Sequence, residues 1–262
     1  MIGDSTLAKL ELDGGIVAIV GAFGSGKTEV AINLAIGVRR AGRQVTLVDL
    51  DTVTPAFRSR QAAGALGAAG VELLAPTGQL AYADLPSLPP DLGGALGDPS
   101  RTVILDVGGG PGGARTLASL ADAMRGRDLT AWGVVCPWRP ATADAERIAA
   151  VISDVEERAG VRAGALVANL HVPFDPGPDD LRRGYEAVRA GAMLLGGRGV
   201  FCTVARGQLG SARAALGPEI DVWGLELYMS APWDEAVEPA GSTGPRPAGR
   251  RKAPGRGLEE GG

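Results

Sequence analysis

The residues most suited to chemistry lie in a glycine-rich segment directly after the first strongly apolar run. The segment Gly21-Ala22-Phe23-Gly24-Ser25-Gly26-Lys27-Thr28 matches the spacing G-x-x-x-x-G-K-[ST]. Such glycines let consecutive backbone N–H groups turn toward phosphates, and a following helix adds the positive end of its dipole. Lys27 would reach the β- and γ-phosphates, and the Thr28 hydroxyl would ligate Mg²⁺. Only three of the 26 basic residues are lysines, so a lysine at this position is itself informative.

Aspartates follow two other apolar runs. Asp49 and Asp51 lie at the end of Val45–Leu50, and the period of two in a strand predicts that they point to the same side. Asp106 closes a second run and precedes the glycine-rich segment Gly108–Gly113. A carboxylate there suits a metal ion, and the glycines can move when a γ-phosphate is present or lost. The alternatives are a capping pair for the next turn and an ordinary loop aspartate.

The elements that must position these residues alternate along the chain. Short apolar runs predict buried parallel strands, and longer Ala/Arg/Glu-rich stretches of helical period predict crossover helices. The fold class is therefore α/β, a single doubly wound, mostly parallel sheet of seven or eight strands flanked by helices. The predicted strands are Ile16–Val20, Val45–Leu50, Val71–Leu74, Val103–Val107, Trp132–Cys136, Ala165–Leu170 and Val200–Val204, with Ile220–Leu227 as the possible eighth. The predicted helices are Lys27–Arg40, Arg58–Ala69, Ala114–Met124, Ala143–Ala159, Asp179–Met193 and Gln208–Leu216.

Composition divides the chain into two parts. With 45% hydrophobic and 21% charged residues, the 262-residue chain is not intrinsically disordered as a whole. Residues 239–262 are rich in Gly, Pro and Arg and predict a disordered tail, with five basic and two acidic residues. Residues 1–238 form the predicted nucleotide-binding domain, with a net charge of −7. This acidic balance gives no general electrostatic reason to bind nucleic acid.

Targeting and metal signals are weak. The N-terminus lacks the basic start and apolar stretch of a signal peptide, and no uncharged apolar run is long enough to span a bilayer. Cys136 and Cys202 lie far apart and His171 is the only histidine, so neither a zinc spacing nor a disulfide framework can be assembled. We expect a cytoplasmic protein with two reduced cysteines.

Together these segments resemble a known family. The resemblance is to the MinD/ParA/CobB-like group of P-loop ATPases. It is carried by the glycine-rich segment Gly21–Thr28, called the phosphate loop below, by the Asp-Leu-Asp strand end and by Asp106-Val107-Gly108-Gly109. The segment 48–60, in which the aspartate strand leads into a Pro-aromatic-Arg-x-Arg turn, resembles one branch of that group. The resemblance implies that Asp51 orients the attacking water, that Asp106 holds Mg²⁺ through water and that Asp49 supports the metal shell.

The chain departs from the family at Ala22. The family carries there a signature lysine that acts on the partner's phosphates across a dimer interface. Its absence from this chain counts against the family's nucleotide-sandwich dimer mechanism. One hypothesis is that Arg58 or Arg60 supplies the missing positive charge, in cis or in trans, as an arginine finger does. The alternative is that both are surface arginines at the start of a helix.

The base would be read at the end of the sixth predicted strand. Related GTPases carry Asn-Lys-x-Asp there, whereas this chain reads Asn169-Leu170-His171-Val172 and lacks both the lysine and the aspartate. The resemblance implies that Asn169 reads adenine, since its amide offers a donor and an acceptor. ATP is thus favoured over GTP, and His171 is predicted to be a solvated loop residue.

A rival family of nickel-delivery GTPases carries a Cys-Pro-His motif. Here the segment after the fifth strand is Cys136-Pro137-Trp138, so the histidine ligand is missing. The sequence gives no basis for deciding whether Trp138 and Arg139 pack on the sheet edge or frame the nucleotide.

The function that these observations favour is binding of Mg-ATP by a slow ATPase that acts as a nucleotide-dependent switch. The alternatives are a metallochaperone-type GTPase, an ATP-dependent transferase or ligase, and a non-hydrolysing regulatory module. An ATP-dependent homodimer and a protein partner of unknown identity remain open. Neither a membrane-binding helix nor a basic nucleic-acid surface is indicated.

Overall fold

The computed structural model describes residues 14–51, 59–76, 88–171 and 176–229. These residues form one eight-stranded sheet in which every pair of neighbouring strands is parallel, in the order β3-β2-β4-β1-β5-β6-β7-β8. The strands are β1 Ile16–Gly21, β2 Val45–Leu50, β3 Glu72–Leu74, β4 Thr102–Val107, β5 Leu129–Val135, β6 Ala163–Asn169, β7 Gly199–Ala205 and β8 Val222–Leu225. The predicted fold class is confirmed, with the larger of the two strand numbers.

Seven helices connect the strands within the described part of the chain. They are α1 Lys27–Arg40, α2 Ala63–Ala68, α3 Leu92–Gly97, α4 Gly110–Ser119, α5 Ala145–Ala159, α6 Pro178–Leu194 and α7 Leu209–Leu216. Short 3₁₀ turns at Ser59–Ala62, Pro140–Thr142 and Arg206–Gln208 precede α2, α5 and α7. No helix in the described ranges combines the length and apolar character needed to cross a membrane.

Two predicted helices differ from the observed ones by more than two residues at an end, and the other bounds agree more closely. The segment predicted as Arg58–Ala69 is a 3₁₀ turn from Ser59 followed by the six-residue α2, and Arg58 lies outside the described residues. Helix α4 was predicted as Ala114–Met124 but runs from Gly110 to Ser119. It begins earlier because Pro111 fits the first helical turn, where its missing N–H costs nothing. The glycine-rich α3 was not predicted from the sequence at all. The predicted tail, 239–262, also lies outside the described residues.

The strand residues alternate between the two faces of the sheet. On β1, Val17 and Ile19 face the layer that contains α1 and α2, whereas Ile16, Ala18 and Val20 face the opposite helices. Helices α3 to α7 cover that second face. Both faces of the central strands are therefore buried, which is what an all-parallel sheet requires. The carboxyl ends of β1, β2, β4 and β6 meet at one edge, and this edge bears the candidate site.

Candidate functional site

The loop between β1 and α1 has a backbone that requires glycine. Gly21, Gly24 and Gly26 have φ values of +144°, +66° and +91°, which L side chains rarely adopt. A Cβ at Gly21 would come within 2.4 Å of the Val134 carbonyl oxygen, and one at Gly26 within 2.0 Å of Asn169 Nδ2. Helix α1 starts at the next residue with no side-chain cap, so its first N–H groups are not satisfied by a capping side chain and suit an anion.

Lys27 lies beneath this loop and is only 7% exposed. Its Nζ donates a hydrogen bond of 2.8 Å to the carbonyl oxygen of Ala22. Burial lowers the pKa of Lys27, while the nearby carboxylates of Asp106 and Asp51 oppose that shift. Among the described residues, the ammonium is thus held at the loop by the Ala22 carbonyl and by the charges of the two nearby aspartates.

The acidic residues lie beside Lys27. Asp49 on β2 pairs in register with Asp106 on β4, so the two carboxylates are neighbours across the sheet. Burial and the charge of Asp49 raise the pKa of Asp106 to about 7, although hydrogen bonds from Ser59 and Thr28 stabilise its ionised form. The Ser59 hydroxyl donates to Asp106 Oδ2 at 2.6 Å. This contact was not predicted, since Ser59 is 47 residues away in the chain and no motif marks it.

Asp51 lies just beyond the end of β2. Its backbone N–H donates to Asp49 Oδ1 at 3.0 Å, and a Cβ at Gly108 would lie 3.1 Å from its Oδ1 atom. Asp51 is therefore next to the first glycine of the segment that follows β4. The structure brings Asp49, Asp51 and Asp106 together with Lys27, as the sequence predicted.

The residues present fit a magnesium ion, which the family resemblance implies. Mg²⁺ prefers hard oxygen ligands and keeps several waters, so one hydroxyl and one nearby carboxylate suit it when phosphate oxygens complete the shell. The Thr28 side chain is hydrogen-bonded to Asp106, which places such a pair at the first turn of α1. Asp49, adjacent to Asp106 in the sheet, adds negative charge at the same point.

The phosphate loop also contacts the glycine segment through Phe23, which is 55% exposed. A Cβ at Gly109 would lie 2.7 Å from Phe23 Cδ1, and one at Gly110 would lie 2.6 Å from Cε2. A Cβ at Gly113 would lie 1.8 Å from the Gly108 carbonyl oxygen. Glycine is required here because the ring and the backbone occupy the space that side chains would need.

Asn169, at the end of β6, is 4% exposed and holds the loop from below. Its Nδ2 donates to the carbonyl oxygen of Ser25 at 2.8 Å, and its Oδ1 accepts from Thr203 Oγ1 at 2.9 Å. Oδ1 also lies 3.4 Å from the His171 backbone nitrogen. The visible role of Asn169 is to support the phosphate loop, and its contact with adenine stays a prediction. His171 is partly buried rather than solvated, and burial lowers its pKa.

Three other residues that the sequence singled out lie outside this cluster or have side chains that the structure does not describe. Cys136 is buried, and its burial raises the pKa of its thiol, as expected of a reduced core cysteine. Arg58 lies outside the described residues, and the structure describes only the backbone of Arg60. The arginine-finger hypothesis for these two residues therefore stays a prediction.

A further contact joins the chain after β8 to helix α1. The Glu29 carboxylate accepts hydrogen bonds from the backbone N–H groups of Tyr228 and Met229, at 2.7 to 3.1 Å. One turn further along, the Asn33 amide donates to the Glu226 carbonyl and accepts from the Glu226 N–H. Burial raises the pKa of Glu29, although the two backbone donors oppose the shift. Polar residues on a largely buried helix face could have signalled this contact in the sequence.

Comparison with solved structures gives proteins of low sequence identity. The signal recognition particle 54 kDa protein of Aeropyrum pernix, in complex with GDP, is 22% identical with a TM-score of 0.46 and is matched over 73% of this chain and 41% of its own. A nucleotide-binding protein of Archaeoglobus fulgidus in complex with ADP is 16% identical, with a TM-score of 0.47, and the match covers 82% of this chain and 92% of that protein. FtsY of Mycoplasma mycoides is 13% identical, with a TM-score of 0.48, and the match covers 71% of this chain and 59% of that protein. The chain thus spans less than two thirds of the length of two of these proteins.

Comparison with curated proteins gives no significant match. A family model, in contrast, matches residues 16–196, which is more than half of the chain and runs from β1 to the end of α6. The matched range contains the phosphate loop, the three aspartates and Asn169. The chain belongs to the CobQ/CobB/MinD/ParA nucleotide-binding domain family.

Proposed function

We propose that this protein binds Mg-ATP in the cytoplasm, hydrolyses it slowly and acts as a nucleotide-dependent switch. The observation that supports the proposal most strongly is the convergence of Lys27, Thr28, Asp51 and Asp106. These residues come from three separate parts of the sequence and meet around the carboxyl ends of β1, β2 and β4. Each is a residue type that phosphoryl transfer requires.

Binding begins with the phosphate chain in the loop, where backbone N–H groups and the start of α1 face it. Lys27 exchanges its hydrogen bond to the Ala22 carbonyl for the β- and γ-phosphate oxygens. Because the loop glycines already have the required positive φ angles, little backbone ordering is needed on binding. Asn169 keeps the loop in place through Ser25.

Thr28 and Asp106 would hold magnesium, with Asp49 supporting the charge of the site. When bound, the ion neutralises charge on the β- and γ-phosphate oxygens. Burial and the charge of Asp49 raise the pKa of Asp106, and a cation beside it would favour the ionised carboxylate.

Asp51 orients the water that attacks the γ-phosphorus. The bond from that phosphorus to the β–γ bridging oxygen breaks, which leaves ADP and inorganic phosphate. Asp51 contacts Gly108, so a change at the γ-phosphate would be transmitted to the glycine segment and to α4, which starts at Gly110. Loss of the γ-phosphate would release this segment, and this is the switch we propose.

ATP rather than GTP is the proposed nucleotide, because the chain lacks the lysine and aspartate that would follow Asn169 in guanine-binding relatives. Position 22 is alanine rather than lysine, so ATP-dependent dimerisation is tested separately from the choice of nucleotide. Size-exclusion chromatography with and without a non-hydrolysable ATP analogue separates an ATP-dependent dimer from a monomeric mechanism.

The proposal is tested by calorimetric titration of the full chain with ATP and GTP in Mg²⁺, together with release of inorganic phosphate from ATP. We expect ATP to bind more tightly than GTP. Lys27→Ala should abolish binding, whereas Asp51→Asn should retain it and lose turnover. Arg125→Ala is a matched control, since Arg125 is exposed and pairs with Asp122 away from the site. Tighter binding of GTP would overturn the base assignment, and equal turnover by Asp51→Asn would overturn the role of that residue.

A further inference from the structure

An arginine that follows β5 lies on the phosphate loop. Arg139 Nε donates a hydrogen bond of 3.3 Å to the carbonyl oxygen of Gly24. The guanidinium nitrogen and carbon atoms lie 3.2 to 3.4 Å from the point that a Cβ of Gly24 would occupy. The side chain therefore takes the space that a larger residue at position 24 would need.

The backbone around Arg139 is fixed by a short hydrogen-bonded turn. Strand β5 pairs with β1, so that Val134 is opposite Gly21 and the turn after β5 reaches the loop. The Arg139 N–H donates to the Cys136 carbonyl at 3.2 Å, and its own carbonyl accepts from the Thr142 N–H at 2.9 Å. The Thr142 hydroxyl donates to the Cys136 carbonyl at 2.6 Å. A rigid turn thus presents a long, exposed side chain to the loop.

The charge of Arg139 is not neutralised by a carboxylate among the residues that the structure describes. Many other arginines are paired with one, namely those at positions 101, 125, 147, 158, 182, 183, 198 and 206. The Arg139 guanidinium is hydrogen-bonded to the Gly24 carbonyl, at a long 3.3 Å, and to the Cys136 side chain, and both of these partners are neutral. A guanidinium in this setting has donors left for an anion, and its planar fork matches phosphate oxygens.

We propose that Arg139 is a second phosphate-contacting cation of this site, supplied in cis beside Lys27. The inference rests on the proposed function, because it assumes that a nucleotide binds in the loop. Lys27 and Arg139 hydrogen-bond the carbonyls of Ala22 and Gly24, two residues apart in the same loop. On binding, the guanidinium exchanges the Gly24 carbonyl for oxygens of the β- and γ-phosphates. The chain then needs no partner subunit to supply the charge that is missing at position 22.

The test is calorimetric titration of the full chain and its variants with ATP and AMP in Mg²⁺. Arg139→Ala should weaken ATP binding 10- to 100-fold, since a charge-assisted hydrogen bond to phosphate is lost. AMP lacks the β- and γ-phosphates, so its affinity should change less than twofold. Arg139→Lys keeps the positive charge but loses the planar guanidinium that can donate two parallel hydrogen bonds, so it should give an intermediate ATP affinity. Because the side chain is exposed, the melting temperature should stay within 2 °C, about the limit expected for surface substitutions.

Arg158→Ala is the matched control, because Arg158 is an exposed arginine paired with Asp154 near the C-terminal end of α5, at the opposite end of that helix from this turn. It should leave ATP affinity unchanged. An equal loss in Arg158→Ala, an equal loss for AMP, or unchanged ATP affinity in Arg139→Ala would each overturn the inference. Failure of the wild-type protein to bind ATP would instead overturn the proposed function.

Mixing variants tests whether the arginine acts in cis. At an ATP concentration that saturates the wild-type protein but not Arg139→Ala, a mixture of Arg139→Ala and Lys27→Ala chains should release phosphate no faster than the two variants assayed separately, because each site needs both cations from one chain. Recovery of turnover in the mixture would show that Arg139 acts on a partner's nucleotide and would overturn the cis assignment.

Discussion

Replacing Asn169 by alanine separates two roles that the same side chain could have. If Asn169 supports the phosphate loop, its loss affects the protein without nucleotide and affects every nucleotide alike. If it mainly reads adenine, its loss affects only the preference for ATP over GTP. The structure shows the first role directly, through bonds of 2.8 Å to the Ser25 carbonyl and 2.9 Å from the Thr203 hydroxyl.

The magnitude follows from these two bonds. In Asn169→Ala, the Ser25 carbonyl loses a donor and the Thr203 hydroxyl loses an acceptor in a site that is 4% exposed. A buried polar group left without a partner costs about 1–3 kcal/mol, so the free energy of unfolding should fall by about 3 kcal/mol. Thr203→Val is a matched control that removes one hydroxyl and leaves the bond to Ser25, so it should cost about 1 kcal/mol.

The assay combines urea unfolding without nucleotide and calorimetric titration with ATP, GTP and ADP. We expect Asn169→Ala to weaken all three nucleotides by a similar factor, because the loop they share has lost its support. Thr203→Val should leave the three affinities close to those of the wild type. A change in stability below about 0.5 kcal/mol together with a collapse of the ATP-to-GTP ratio would refute the supporting role and favour adenine recognition.

Two further predictions concern buried carboxylates. Asp106→Asn should stabilise the nucleotide-free protein at pH 8 by up to about 4 kcal/mol and have little effect near pH 4, as measured by denaturant unfolding. The reason is that the pKa of Asp106 is raised from 3.8 to about 7 in the native protein. Between these two values the native protein holds a proton that the unfolded chain releases, so the stability of the wild type falls as the pH rises through this range. An Asp106→Asn variant that is no more stable than the wild type at pH 8 would contradict this. Glu29→Ala should increase hydrogen exchange at the Tyr228 and Met229 amides at least tenfold, because both lose their acceptor. Exchange within β8 should not change, and equal acceleration there would mean that the whole edge of the sheet has loosened.

The positions of many site residues could be predicted because they lie in short, contiguous sequence motifs. The phosphate loop is one contiguous motif, and Asp49 and Asp106 end apolar runs that parallel strands bring to one edge. The support by Asn169 could not be predicted, since its partners Ser25 and Thr203 are 144 and 34 residues away. Nothing local in the sequence marks which of several strand-end polar groups faces the loop.

The contact between Arg139 and Gly24 was hidden for the same reason, since 115 residues separate them and only the pairing of β5 with β1 joins them. Helix α3 was missed because its sequence, LGGALG, has three glycines, each costing about 1 kcal/mol relative to alanine. Leu92 and Leu96 are buried against the sheet, and this packing overrides the low propensity.

The order of the strands also governs how the protein must reach this structure. Strand β1 carries the phosphate loop, but its neighbours are β4 and β5, so that Ile16 pairs with Val103 and Leu129. Such distant pairing makes folding slow, because the entropy of closing a long stretch of chain is lost before the strand–strand contacts form and stabilise the structure. On the ribosome, β1 would stay without both neighbours until β5 has emerged, and its apolar residues would be open to aggregation during that interval. The loop after β1 is therefore synthesised before the strands on either side of it, β4 and β5, and can take its final shape only after both have emerged.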